Sequence, residues 1–386
     1  MLADLFDRLF GVSLFGSISV RVVMAALTAF AVALALGGPT IKWLIALSVD
    51  DNVETSGSSD LADTSKKAGK HKTPSMGGSF LIASLLVGVV CWADVTRVLV
   101  LLGIFLCAGL AAVGFLDDYK KLTKKKSGGM SRRGKWIGMS VVSLSAIGGA
   151  VYFALATDRS AITNIYPPFL KDVVFSPLEW AGVWGIVGLV GFIAFEWLVV
   201  VGTSNAANIT DGLDGLAAGC VLISGMALTV FCYITGRADW TDYLALPYVP
   251  PAADMAVMGG ALCGACMGFL WFNAYPAKVF MGDSGSLPLG GVLGWMAFVS
   301  KQELVLPLIA CVLVIDAGSS WLQTFWFRRS GGKRIFTCAP IHHGLQLYGG
   351  VFVRRETRWH EMTVVIRFWI IAAVGALASL ALLKIR

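Results

Sequence analysis

Apolar residues run along this chain in long unbroken blocks separated by polar connections, with no alternation of apolar and polar positions. A helix that crosses a bilayer needs roughly 20 mostly apolar residues. Ten blocks approach that length, at about 20–47, 77–93, 97–116, 136–157, 180–202, 213–235, 255–275, 284–299, 303–327 and 363–384. The first is long enough to bend at Gly37-Gly38-Pro39 and the eighth is short, so the count lies between nine and eleven. Strands of a membrane β-barrel alternate with period two and are much shorter than these blocks. The pattern therefore predicts an all-α integral membrane protein, a bundle of about ten transmembrane helices, with residues 1–386 forming a single multi-pass membrane domain. The only long polar stretches are 49–76 and 328–362. No repeat of fixed period is present, and no secretory cleavage pattern precedes the first block.

Composition agrees, with 56% hydrophobic residues, 14% charged residues and a mean hydropathy of +0.74, outside the range of ordinary soluble domains. Charge adds orientation. Connections after the odd-numbered blocks hold twenty Lys and Arg, against five after the even-numbered ones, and short cytoplasmic loops are the ones enriched in these residues. The odd loops are expected in the cytoplasm and both termini on the far side. The net charge of +7 is mostly an expression of this bias, and it implies no nucleic-acid partner. Cysteine adds little: seven of the eight lie inside the apolar blocks, Cys338 alone lies in a loop, and Cys263 and Cys266 read as small packing residues.

The informative polar residues share one face. "GFLDDYKK" (Gly114 to Lys121), "SNAANITDGLDG" (Ser204 to Gly215), "NAYPAKVFMGDSGS" (Asn273 to Ser286) and "APIHHG" (Ala339 to Gly344) all fall in odd loops. A single Asp at a helix start is explained by capping. Asn205, Asn208, Asp211 and Asp214 at steps of three exceed that need, and Gly212 and Gly215 there favour a loop followed by a helix start. "MGDSGS" joins the backbone freedom of Gly282 and Gly285 to hydroxyls and a carboxylate, a composition suited to phosphate and to a hard cation. Asp117 and Asp118, taken alone, are as well explained as interfacial carboxylates balanced by Lys120, Lys121, Lys124, Lys125 and Lys126. Together the clusters ask for a ligand at the membrane surface. Few carboxylates completed by water and substrate phosphate suit Mg²⁺; adjacent His342 and His343 with almost no loop Cys do not suit zinc. The site is expected to serve phosphoryl transfer between a lipid-borne and a soluble phosphorylated substrate. The rival class is an ion-coupled secondary transporter, resting on Glu196 and Asp316 inside spans. Asp316, Ser320 and Gln323, however, form a stripe toward the proposed site.

In this order on one face, these motifs resemble the polyprenyl-phosphate N-acetylhexosamine-1-phosphate transferase superfamily. "KTPSMGG" (Lys72 to Gly78), "TDGLDG" and the Pro-x-His-His pattern look most like its phospho-N-acetylmuramoyl-pentapeptide transferase branch, from about Lys70 to beyond His343. The resemblance implies transfer of phospho-MurNAc-pentapeptide from UDP-MurNAc-pentapeptide to undecaprenyl phosphate, giving lipid I and UMP with Mg²⁺. It places this first membrane step of peptidoglycan synthesis at the bacterial inner membrane, and it raises a homodimer among membrane lipids. By resemblance Asp283 is the metal ligand, with Asp211 as a second candidate, and Asp117 and Asp118 are the carboxylates nearest the acceptor phosphate. Asn205, Asn208, Asp211, Asp214, Asn273, Gly282 and Phe280 match the nucleoside and diphosphate region, the ring of Phe280 being available to stack on uracil. Lys70, Ser75, Gln323, His342 and His343 match further donor contacts, and Lys121, Lys125 and Lys135 match basic positions of the third loop. The chain departs from the usual Pro-x-His-His-His-x-Glu in carrying Gly344 and Gln346. That erosion keeps a UDP-GlcNAc:polyprenyl-phosphate GlcNAc-1-phosphate transferase as the sibling alternative.

Overall fold

A computed structural model describes residues 2–11, 13–47, 73–123, 129–168, 170, 174–180 and 182–384. The described residues fold into helices, with one isolated antiparallel bridge, Ile165 to Phe175. In chain order the helices are α1 (Leu2–Phe10), α2 (Ile18–Ala46), α3 (Gly78–Trp92), α4 (Val98–Thr123), α5 (Arg132–Ala156), α6 (Val183–Thr210), α7 (Leu216–Thr235), α8 (Ala238–Leu244), α9 (Ala252–Asn273), α10 (Asp283–Ser300), α11 (Leu306–Ile309), α12 (Cys311–Arg329), α13 (Ile341–Tyr348) and α14 (Glu361–Ala381).

Every apolar block is helical. Seven of the helices, α2, α4, α5, α6, α7, α9 and α14, are long and apolar enough to cross a membrane by length and composition. The other three blocks differ for identifiable reasons. α3 has 15 residues. α10 opens on the polar turn Asp283-Ser284-Gly285-Ser286, and all 18 of its residues are buried against protein. The ninth block breaks at Ala310 into α11 and α12. The bend expected at Gly37-Gly38-Pro39 does not interrupt α2, which carries Pro39 inside a continuous helix.

Apolar side chains gain little by leaving lipid for other apolar side chains, so helices in a bilayer associate where small residues let backbones approach. The chain supplies such residues at helical spacing. Gly260, Gly264 and Gly268 recur every fourth residue on α9, and a Cβ at any of them would collide with α2, at Val22, Ala26 and the Phe30/Ala33 pair respectively. On α2, Ala25, Ala29 and Ala33 are buried at the same step, and Gly88 of α3 fits against the first two. Cys263 and Cys266, buried on α9, are free thiols in this packing.

α10 is the centre of the bundle. Gly290 and Gly294 abut α6 at Thr203 and Val200, and Gly291 abuts Leu110 of α4. At its start, a Cβ on Gly114 of α4 would strike the Asp283 carbonyl, and one on Gly78 would strike the Gly285 backbone. Three helices thus meet at the first turn of α10, the place where Asp283 stands. Substituting Gly114 with Ala should push α4 off α10 while leaving the rest of the bundle intact. A displacement of about 1 Å at reacting groups costs on the order of 100-fold in rate, and turnover beside thermal unfolding in detergent checks whether the loss comes without unfolding.

Opposite the odd-loop motifs the bundle hides charges that the loop pattern did not reveal. The Arg21 guanidinium lies 2.6 Å from Asp254 and donates to the Trp92 carbonyl at 2.8 Å. Lys301 is 2.6 Å from Glu303 with both side chains sealed, and it donates to the Ile162 carbonyl at 3.1 Å. Breaking a buried pair costs about 3–5 kcal/mol, and without Arg21 the Asp254 carboxylate would keep only the exposed Arg97, at 3.7 Å. Arg21→Ala should therefore lower the unfolding temperature far more than substitution of the exposed Arg237, whose partner Asp239 is also exposed.

Candidate active site

Asp117 and Asp118 end α4 and Asp283 begins α10, so the packing of those two helices brings the three carboxylates together. One oxygen from each lies within 4.8 Å of the others. All three are buried, and among the described residues they form the only group of at least three metal-capable side chains. Asp118 has both oxygens engaged by α10 backbone amides: Asp283 donates to Oδ1 at 3.2 Å and Ser284 to Oδ2 at 2.9 Å. The carboxylate thereby satisfies two amides that a helix start leaves without intrahelical partners, and it meets the positive end of the helix dipole. Gly282 makes the approach possible. Its φ of +73° is a left-handed conformation natural only to glycine, and a Cβ there would sit 2.7 Å from Asp118 Oδ2.

Two lysines bridge the carboxylates. Lys121 Nζ lies 3.0 Å from Asp117, 3.6 Å from Asp118 and 3.1 Å from Asp283. Lys135, reaching in from α5, lies 2.8 Å from Asp283 and donates to Asn208 Oδ1 at 3.3 Å. Asn208 completes the ring by donating its amide to Asp283 and, at 2.9 Å, to Ser286 Oγ. Asp117 accepts from Lys121 on one side and from the Met130 amide on the other, which ties the third loop to the carboxylates.

A second group of predicted residues holds loops in place. Asp214 accepts from the Ala277 amide at 3.0 Å, while its own amide donates to Glu361 at 2.8 Å. Asn273 accepts from Gly215 N at 3.0 Å and donates to the Val279 carbonyl at 2.8 Å. Gln323 accepts from the amides of Ile335 and Phe336, each at 3.0 Å. Asp214 and Asn273 fasten "TDGLDG" to the "NAYPAKVF" segment, and Gln323 holds the segment before the histidines to α12. Ser75 is buried with its hydroxyl facing Gly282, and half-buried Phe280 is bonded through its backbone to the segment around it: its amide donates to Pro74 O, and its carbonyl accepts from Gly77 N. Met76, between them, is held at φ +75°, a conformation rare outside glycine.

The step-of-three series divides in two. Asn205 and Asn208 lie on the last turns of α6, whereas Asp211 and Asp214 occupy the break before α7, whose first residue is Leu216. Asp211 lies outside the three-carboxylate group. His342 and His343 begin α13 with their rings 4.2 Å apart. Lys70 and Lys125 lie outside the described residues. Sequence reasoning missed Glu361, the first residue of α14, and the place at which Asp316 acts: its carboxylate lies 2.6 Å from His342 Nδ1. That contact gives Asp316, one of the two residues from which a transporter was argued, a partner in the histidine motif.

Three buried carboxylates against two ammoniums leave an excess of negative charge in a hard, all-oxygen donor set, the chemistry that takes a divalent cation. Residues 98–301 match the family model for glycosyl transferase family 4. Phospho-N-acetylmuramoyl-pentapeptide-transferases from two strains of Neisseria gonorrhoeae and from Neisseria meningitidis serogroup C are each 41% identical to this chain, over all of it and 99% of the relative.

The chain belongs to the phospho-N-acetylmuramoyl-pentapeptide-transferase family.

Its three carboxylates and two lysines come from α4, α5 and α10, all within or beside the matched span of glycosyl transferase family 4. The histidines lie beyond that span but within the full-length similarity to the named transferases. Lysines and a cation compete for the same oxygens, and two unit charges about 4 Å apart interact by about 4 kcal/mol at an effective dielectric of 20. Lys135→Met should therefore bind Mn²⁺ several-fold more tightly than the parent while turning over more slowly. Asp283→Asn should weaken Mn²⁺ binding at least about tenfold, since it removes one of the three carboxylates of the group. Calorimetric titration of both variants checks the opposite signs.

Proposed function

We propose that this chain transfers phospho-MurNAc-pentapeptide from UDP-MurNAc-pentapeptide to undecaprenyl phosphate, forming lipid I and UMP, with Mg²⁺ held by Asp283. The observation that carries the reading is the meeting of Asp117, Asp118 and Asp283 with Lys121 and Lys135 at one end of the bundle, in a chain 41% identical over its length to transferases of that name. The Lys and Arg bias of the loops supports a site on the cytoplasmic side of the inner membrane, with both termini opposite.

A phosphate monoester loses its second proton with a pKa of about 6, so the acceptor phosphate is already largely dianionic near neutral pH. A strong general base is not needed. An acceptor oxygen attacks the β-phosphorus of the donor, the bond from that phosphorus to the bridging oxygen breaks, and UMP leaves with the electron pair. Lys121 and Lys135, which sit over Asp283, neutralise the diphosphate. Asp117, fixed from both sides, orients the acceptor. Asp118, whose oxygens are both taken by α10 amides, acts as a positioning residue that keeps Asp283 in register. Asn208 orients the Asp283 carboxylate, and Phe280, Ser75, His342 and His343 form the donor side. Bound at the carboxylates, Mg²⁺ supplies charge neutralisation and alignment of phosphate oxygens.

Two donors separate this reading from its sibling. With undecaprenyl phosphate and Mg²⁺, labelled UDP-MurNAc-pentapeptide should enter butanol-extractable lipid at least about 100-fold faster than labelled UDP-GlcNAc, within the discrimination a hydrogen-bonding site provides. Preference for UDP-GlcNAc would reassign the chain to GlcNAc-1-phosphate transfer. Failure of both donors to label lipid would remove the transferase reading.

A further inference from the structure

Asp316 and His342 are both fully buried, on α12 and α13, and His342 Nδ1 lies 2.6 Å from Asp316 Oδ2. The opposite nitrogen, Nε2, is also buried and has no hydrogen-bond partner. It faces Gly212 of "TDGLDG": a Cβ added there would collide with His342 Nε2 and lie 3.0 Å from His343 Nε2. Asp316 Oδ1 and Ser320 Oγ, one helical turn apart, are buried without partners as well. His343 is held from its own Nδ1 side by Gln346, at 3.4 Å, and Gln346 donates to Glu361 at 3.3 Å. The two imidazoles are thus gripped at Nδ1 from different directions and present Nε2 toward one glycine.

With the Asp316 carboxylate as the acceptor of this contact, His342 carries its proton on Nδ1. Nε2 is then the edge left for a ligand, an acceptor in the neutral ring and a donor in the charged one. A buried imidazole nitrogen left without a partner costs free energy unless something binds it. Gly212, exposed and without a side chain, is packed against that edge.

We propose that Asp316 is a positioning residue of the transfer reaction, acting through His342: it fixes the tautomer and ring orientation and keeps Nε2 directed at the "TDGLDG" loop for a hydrogen-bonding group of the nucleotide-sugar donor. The inference rests on the donor-side reading of His342 given above. It predicts dependence of donor use on a carboxylate that touches no substrate. Such supporting residues, when removed, cost on the order of 10 to 100-fold, and an Asn in place of an orienting Asp allows the wrong tautomer with little change in shape.

Steady-state kinetics in detergent on the full chain test it, using Asp316→Asn, His342→Ala and the double variant, with donor and acceptor varied in turn and thermal unfolding measured alongside. Expected for Asp316→Asn is a loss of about 10 to 100-fold in kcat/KM for the donor, an unchanged KM for undecaprenyl phosphate, and less than about threefold further loss on the His342→Ala background. A purely structural Asp316 would affect both substrates through the folded fraction and would multiply the His342→Ala defect; that result overturns the inference. Full donor activity in Asp316→Asn overturns it too. Full activity in His342→Ala instead removes the donor-side role of the histidine, which separates the two failures. Gly212→Ala provides a second route that spares the buried carboxylate. It should reproduce the donor-specific loss by blocking the Nε2 edge, and wild-type donor kinetics in that variant contradict the proposed direction of the ring.

Discussion

The two hydrogen bonds from the Asp283 and Ser284 amides to Asp118 are the contact on which the site depends. A helix that begins inside a membrane protein presents unpaired amides that lipid cannot satisfy. Here a carboxylate from a neighbouring helix satisfies two of them. The same contact sets the separation of Asp283 from Asp117 and Asp118, so one interaction both completes a helix and assembles a triad of carboxylates. It demands that α4 and α10 come close, which Gly114 permits, and that residue 282 adopt a left-handed backbone, which glycine permits.

The same economy of residues extends outward. Asp214, Asn273, Glu361 and Gln323 bind the loops to one another through backbone groups, so irregular chain at the membrane surface is held by hydrogen bonds rather than by an apolar core of its own. The chain's departure from the family's histidine motif acquires a physical reading in this network. Gln346, standing where a Glu is usual, bridges His343 to Glu361, and the carboxylate is supplied from α14. On the opposite side of the bundle, Arg21 with Asp254 and Lys301 with Glu303 bury charge where no candidate chemistry was read.

Much of this was legible in the sequence, and for a stated reason. Blocks of apolar residues fix helices because a bilayer admits few other structures, so each block is helical in the fold. Function left a mark because polar residues are costly there and the four polar motifs all fall in one set of loops. What could not be read was the difference between a residue that lines the site and one that fastens it. Asp214 and Asn273 carry the same atoms as Asp117 and Asn208, and only the packing shows that the first pair hold neighbouring loop backbone while the second pair meet Lys121, Lys135 and Asp283. Asp316 was visible as one position of a helical stripe, yet its partner lies 26 residues later in another helix. Glu361 gave no signal beyond an acid at a helix start, where capping alone accounts for it. The break before α7 was readable from Gly212 and Gly215, but the close fit of Gly212 against both histidines was not.

In the proposed reaction one assembled site passes the phosphosugar directly from nucleotide to lipid phosphate, with the carboxylates serving to orient and to hold charge rather than to accept the phosphoryl group themselves. A covalent route through an aspartate would split the reaction and allow its first half to run without acceptor. Exchange of labelled UMP into UDP-MurNAc-pentapeptide, measured in Mg²⁺ on enzyme freed of lipid phosphate, addresses this directly. Direct transfer gives no exchange until undecaprenyl phosphate is restored; robust exchange in its absence would mean a covalent phosphoryl-enzyme route instead.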